Sequence, residues 1–142
     1  MVSFSKEQIT PFTHEQMFAL VNDVANYSQF LPGCTSSQVL TKTEDELTAE
    51  LTLNIGPITQ VFATKNYLNY PHHIRMTKLY GPFKTLEGGW TFKPLAEHSV
   101  ISLNLEYEFN NKITATLLAP LFSNVTKSMI HAFVQRAHQV YR

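Results

Sequence analysis

The apolar positions of this chain follow two different periods, and the change between them divides it into three parts. From Asn111 to Arg142, Leu118, Leu121, Phe122, Val125, Met129, Ala132, Phe133, Ala137 and Val140 recur at spacings of three and four. That spacing puts them on one stripe of an α-helix. Asn124, Lys127, Ser128, His131, Gln135, His138 and Arg142 fall on the opposite face. A helix over this range is ~45 Å long at ~1.5 Å per residue, so its apolar face needs a broad surface to lie on. Pro120 falls inside the pattern, where it deletes a backbone hydrogen bond at a cost of ~3 kcal/mol. Because Ile113, Leu117 and Leu118 already fit the stripe, a kink is expected at Pro120, tilting the first turns outward to keep a cavity mouth open.

The preceding residues supply that surface. Val2 to Ile9 predicts a first strand, ended by Pro11. Thr13, with Gln16 three residues on, spells a capping box, and Phe12 and Met17 are placed as a hydrophobic staple. Met17, Leu20, Val21 and Val24 then repeat with helical spacing. Asn26 to Gly33 reads as a turn or second short helix, stopped by Pro32-Gly33. After Cys34 the period becomes two: Leu47, Ala49, Leu51, Leu53 and Ile55 alternate with Thr48, Glu50, Thr52 and Asn54, the pattern of a half-buried strand. Gly56-Pro57 breaks it, and Ile58 to Asn69 returns. Ile74 to Tyr80, Leu86 to Lys93 and Val100 to Phe109 follow as further strands. Every connection is short, so the sheet is expected to be antiparallel, about seven strands wide and strongly curved. The fold class is α+β, one domain over residues 1–142: a strand, two short helices, a meander of strands and one long helix.

Composition narrows the function. Hydrophobic residues make up 44% and charged ones 15%, which predicts a folded globular chain. Basic and acidic residues number 11 each, so no general field draws the chain to DNA, RNA or anionic membrane. Any RNA contact must come from a local patch. The single cysteine, Cys34, excludes an internal disulfide and a cysteine-rich metal site. No apolar run reaches signal-peptide length or ~18 residues, and the expected location is the cytoplasm.

Catalytic patterns are absent from the sequence. His131 and His138 share a helix face but sit ~10 Å apart along it, too far to clasp one ion. His72-His73 marks a turn, His14 a first helical turn and His98 a loop. Cys34 has no neighbouring base, so burial is the expected state of its thiol. Glu87-Gly88-Gly89-Trp90 sits in a strand rather than at a helix start, so it is not a phosphate loop. The expectation is a protein that is not an enzyme and holds no metal. Leu51, Leu53, Phe62, Met76, Leu86, Trp90, Phe92, Leu103 and Leu105 form a wall, and Phe122, Val125, Met129 and Phe133 a lid. Two readings of that arrangement stand: an ordinary packed core, or a concave apolar site. Gly56-Pro57 and Gly81-Pro82-Phe83 would fall at one end of alternate hairpins, as flaps would.

Asn22-Asp23-Val24, Tyr27, Phe30-Leu31-Pro32-Gly33-Cys34, Gly81-Pro82-Phe83-Lys84 and Gly89-Trp90-Thr91-Phe92 closely resemble the ribosome-association toxin RatA family. They are also similar to its mitochondrial relatives, the coenzyme Q-binding proteins of the START-like, polyketide cyclase-like superfamily. The likeness extends over nearly the whole chain. It implies a helix-grip fold with a lipophilic tunnel between sheet and long helix. It implies non-enzymatic binding of ubiquinone or a similar isoprenoid in support of respiration, with no other cofactor, and peripheral contact at the inner membrane face. For the bacterial branch it implies binding to the large ribosomal subunit, a block on subunit joining, and a small RatB-like partner. By resemblance Leu51 and Trp90 fall at the quinone site. Leu53, Phe62, Phe83, Phe122, Val125, Met129 and Phe133 are added from the wall, flap and lid. Lys127, Arg136 and Arg142, on the exposed helix face, are the candidate ribosome contacts. Truncating Trp90 to Ala is expected to lower quinone retention with little loss of fold. An aromatase or cyclase would need ionisable groups converging in the pocket, where the sequence supplies mostly apolar ones.

Overall fold

The computed structural model describes residues 1–55 and 57–141, leaving Gly56 and Arg142 outside, together with the side chain of Ile55. In chain order the elements are β1 (Val2–Thr10), α1 (His14–Asn22), a 3-10 helix (Val24–Gln29), β2 (Cys34–Lys42), β3 (Glu46–Ile55), β4 (Ile58–Asn69), β5 (His73–Tyr80), β6 (Phe83–Leu95), β7 (His98–Phe109) and α2 (Lys112–Val140). The strands form one seven-stranded antiparallel sheet in the order β1-β7-β6-β5-β4-β3-β2. This is the START-like helix-grip arrangement. Sequence periodicity did not single out β2, because only Cys34 at its start is buried and the rest of the strand has no apolar alternation to detect.

Helix α1 starts where its capping box requires. Thr13 Oγ1 accepts from the Gln16 amide at 3.2 Å, and Gln16 Oε1 accepts from the Thr13 amide at 3.0 Å. Two orphan donors of the first turn are thereby satisfied. The face that follows, Met17, Phe18, Leu20 and Val21, is buried.

The sheet curls because its ladders are irregular. Register shifts occur between Cys34 and Ser36, Val39 and Thr41, Ala63 and Thr64, and Phe83 and Thr85. Each such bulge bends its strand and adds twist. At Gly88, with φ +148°, any Cβ would collide with the Asn104 carbonyl, so only glycine lets β6 and β7 approach there.

Helix α2 is capped by Asn111, whose Oδ1 accepts from the Thr114 amide at 2.8 Å. It runs without interruption through Pro120, so the helix begins ahead of the proline and is not broken by it. Pro120 lies on the exposed side, where water can serve the carbonyl that its missing N–H leaves unpaired. The buried stripe differs from the expected one. Thr126, Ile130 and Val134 join Leu118, Phe122, Val125, Phe133 and Ala137 in the interior. Val140 is half exposed, and Ile113 and Leu117 are 76% and 58% exposed. The physical reason is that α2 touches the sheet through β7 and β1 and also touches α1. Two surfaces widen the buried face along its middle, while its first turn projects past both.

Candidate ligand-binding site

Antiparallel pairing puts opposed residues on the same side of a sheet, so the register identifies the interior rows. One row runs Leu47, Asn66, Met76, Gly88, Leu105 and Phe4 across β3 to β1. The next runs Leu68, Ile74, Trp90, Leu103 and Lys6. Between these rows and α2 lies a cavity of about 70 Å³. Leu51, Leu53, Phe62, Trp90, Phe122, Val125 and Met129 all line it, together with Val24, Tyr27, Leu31, Ala49, Thr64, Asn66, Met76, Leu86, Leu103 and Leu105. The structure thus brings seven of the nine sequence-selected side chains around one hollow.

The other two are elsewhere. Phe83 is 1% exposed and begins β6 rather than tipping a flap. It borders a second, smaller hollow of about 30 Å³ with Ile58, Pro82, Leu118 and Leu121, which shares Leu53, Phe62 and Phe122 with the first. The flap expected at Gly56-Pro57 involves a residue outside those described. Phe133, fully buried, does not border the cavity. Its ring backs onto Trp90 at 5.3 Å and onto Tyr27 at 5.2 Å, making it the second tier behind the wall.

Side chains fill much of the interior. Ligand cavities commonly enclose ~300–1,000 Å³, and the space here is of the order that holds a few waters. A larger guest requires the lid to shift. Met129 and Leu51, which are only partly buried, border the hollow, and methionine repacks easily.

The lining is apolar except at three places. The Tyr27 hydroxyl donates to the Val21 carbonyl. Burial, reinforced by the charge of Asp23, pushes its pKa well above the ordinary phenol value. Thr64 Oγ1 donates to Asn66 Oδ1 at 2.8 Å, and Asn66 is 6% exposed. Thr64 and Asn66 share the strand parity of Phe62, the one sequence signal that would have placed them inside. The bulge at Ala63 and Thr64 and their polarity hid it. No ionisable cluster converges here.

The proposed ribosome contacts also separate. Lys127 is exposed. Arg136 is half-buried and engaged: its guanidinium sits 5.2 Å from the centre of the Phe30 ring, and Nη2 donates to Gln29 Oε1 at 2.9 Å. These contacts tie α2 to the 3-10 helix, and the guanidinium keeps its charge, since neither partner is anionic. Arg142 lies outside the described residues. Cys34 is buried, its Sγ donates to the Ser36 carbonyl at 3.4 Å, and desolvation pushes its pKa up. Among the described residues no group of three or more His, Cys, Asp or Glu is placed to hold a metal, and no helix is long and apolar enough to cross a membrane.

Comparison with known proteins agrees with this architecture. The family model for polyketide cyclase / dehydrase and lipid transport matches residues 10–134. Ribosome association toxin RatA of Vibrio cholerae is 42% identical over 142 residues, 99% of each chain. A mitochondrial coenzyme Q-binding protein homologue of Xenopus laevis is 28% identical over 145 residues, 99% of this chain and 59% of that one. The crystal structure of the Zhui aromatase/cyclase from Streptomyces sp. R1128 superposes with a TM-score of 0.89 at 13% identity, covering 99% of this chain and 96% of that one. The chain therefore belongs to the polyketide cyclase, dehydrase and lipid-transport family, where it groups with the RatA sequences.

Proposed function

We propose that this protein, acting as one domain over residues 1–142, binds a lipophilic molecule between the sheet and α2 without transforming it. Ubiquinone or a related isoprenoid is the ligand this reading favours, in support of respiratory electron transport and with no other cofactor. The observation that carries the reading is the apolar hollow walled by Leu51, Trp90, Phe122 and Met129, into which no cluster of ionisable groups converges. Each Å² of apolar ligand surface removed from water contributes ~25 cal/mol, which offsets the cost of displacing the lid. The proposed location is the cytoplasm, with peripheral contact at the inner membrane face where such a ligand resides. Mass spectrometry of organic extracts from the purified protein tests this. A quinone or isoprenoid at near-stoichiometric yield is expected, and extracts without any lipid would overturn it.

A second reading rests on the RatA likeness over the full chain and uses the outside of the fold. In it the protein binds the large ribosomal subunit, blocks subunit joining and has a small RatB-like partner. Lys127, Arg136 and Arg142 are its candidate contacts. Co-sedimentation with large subunits should weaken as salt rises, because phosphate contacts release counterions. No pelleting even at low salt would remove this reading and leave the lipid one standing.

A further inference from the structure

The interior cavity offers hydrogen-bond donors that the protein itself does not use. Thr64 and Asn66 face it side by side from β4, and the bond between them consumes one hydrogen. An asparagine amide and a threonine hydroxyl together carry three such hydrogens. If Thr64 donates, both N–H groups of Asn66 remain. If the amide is turned over and donates to Thr64 Oγ1, one N–H and the hydroxyl remain. Either orientation leaves two donors. No hydrogen bond from Asn66 Nδ2 is found among the described residues, and the strand's backbone is engaged in ladders with β3 and β5 on both sides. Tyr27 does not compete for a guest, since its hydroxyl hydrogen is committed to the Val21 carbonyl. Donors that face a hollow walled by Leu, Met and Phe side chains discriminate between guests that can and cannot accept.

We propose that Asn66, oriented by Thr64, recognises the head of the bound molecule by donating a hydrogen bond to a carbonyl or ether oxygen. The cavity then selects lipophiles carrying an oxygen acceptor at one end over plain hydrocarbons of the same length. The inference rests on the lipid-binding reading above and adds to it the chemistry of selection. Asn66 occupies the row beside that of Trp90, with Met76 and Ile74 as their respective partners on β5, so a ring lying along the indole would bring its substituents toward β4.

The test is calorimetric titration of the whole protein with two probes, decylubiquinone and decylbenzene, in the wild type, Asn66→Leu, Thr64→Val and Trp90→Phe. Asn66→Leu should weaken decylubiquinone by ~tenfold or more, equivalent to ~1.4 kcal/mol, while leaving decylbenzene unchanged or tighter. Thr64→Val, which frees the amide without removing it, should cause a smaller loss in the same direction, and it decides the matter if Asn66→Leu fails to fold. Equal losses for both probes, or none for the quinone, overturn the proposal. So does loss of the preference in Trp90→Phe but not in Asn66→Leu, which would assign the donor to the indole N–H. A wild type that binds both probes alike overturns the role of Asn66 and leaves lipid binding intact. A wild type that binds neither overturns both.

Discussion

The ring of Phe133 on α2 meets the Trp90 indole on β6 edge to face, with centroids 5.3 Å apart and planes at 86°. Phe133 also contacts Tyr27 and Phe30 at 5.2 and 5.3 Å. One helix residue thus joins the sheet to the 3-10 helix and backs the cavity wall. Phe133→Ala should therefore cost ~3–5 kcal/mol of stability, the range for truncating a buried aromatic, read as a lowered urea midpoint. A loss under ~1 kcal/mol would show that the tier behind Trp90 is not structural.

The same contact corrects the expectation that Trp90→Ala spares the fold. Trp90 is 3% exposed and lies against Phe92 as well as Phe133. Its truncation should destabilise by ~3–5 kcal/mol. Trp90→Phe keeps an aromatic surface and is the substitution by which ligand retention can be read separately from stability.

Filling the hollow should separate binding from folding. Ala49 is 3% exposed and borders the cavity. In Ala49→Leu the larger side chain occupies space about the size of the hollow, so lipid retention on extraction should fall several-fold. The melting temperature should stay the same or rise, since a void has been replaced by contacts. Full retention of lipid would place the guest elsewhere.

Removal of the Thr13 hydroxyl in Thr13→Ala takes away the acceptor of the Gln16 amide and leaves the reciprocal bond, from the Thr13 backbone N–H to Gln16 Oε1, in place. A loss of ~1 kcal/mol is expected, with no change in lipid retention, because α1 contributes no residue to the cavity lining.

Stability should decline in alkali. Burial, then the charge of Asp23, holds the Tyr27 hydroxyl protonated above its ordinary value of 10.0, and desolvation raises Cys34 above its ordinary 9.0. With both values raised in the folded state, the unfolded chain loses these protons first. Their contribution is complete below pH 9 and is lost as pH rises through 9 to 10 and beyond. Each group contributes a slope of ~1.4 kcal/mol per pH unit over its window. Urea midpoints across that range should fall, and Tyr27→Phe should flatten the decline above pH 10. An unchanged slope in that variant would contradict the buried, protonated phenol.

Local rules made much of this protein legible in its sequence. The capping box at Thr13 and the alternation from Leu47 to Leu53 each involve atoms within a few residues of one another, so the chain determines them before it packs. Those elements, joined by short connections, also dictate an antiparallel curved sheet under a long helix, and seven of nine chosen apolar residues do surround one hollow. Other features depended on how the layers meet. Which face of α2 is buried follows from its contact with both the sheet and α1, which drew Ile130 and Val134 inside and left Ile113 and Leu117 in water. Arg136 reads as a surface charge until the 3-10 helix brings Gln29 and Phe30 to it. Asn66 and Thr64 read as ordinary polar strand residues until register places them beneath the helix. Periodicity encodes which residues are apolar and how they repeat. The sizes of cavities and the partners of polar groups depend on atoms distant in sequence, and only the assembled fold brings those together.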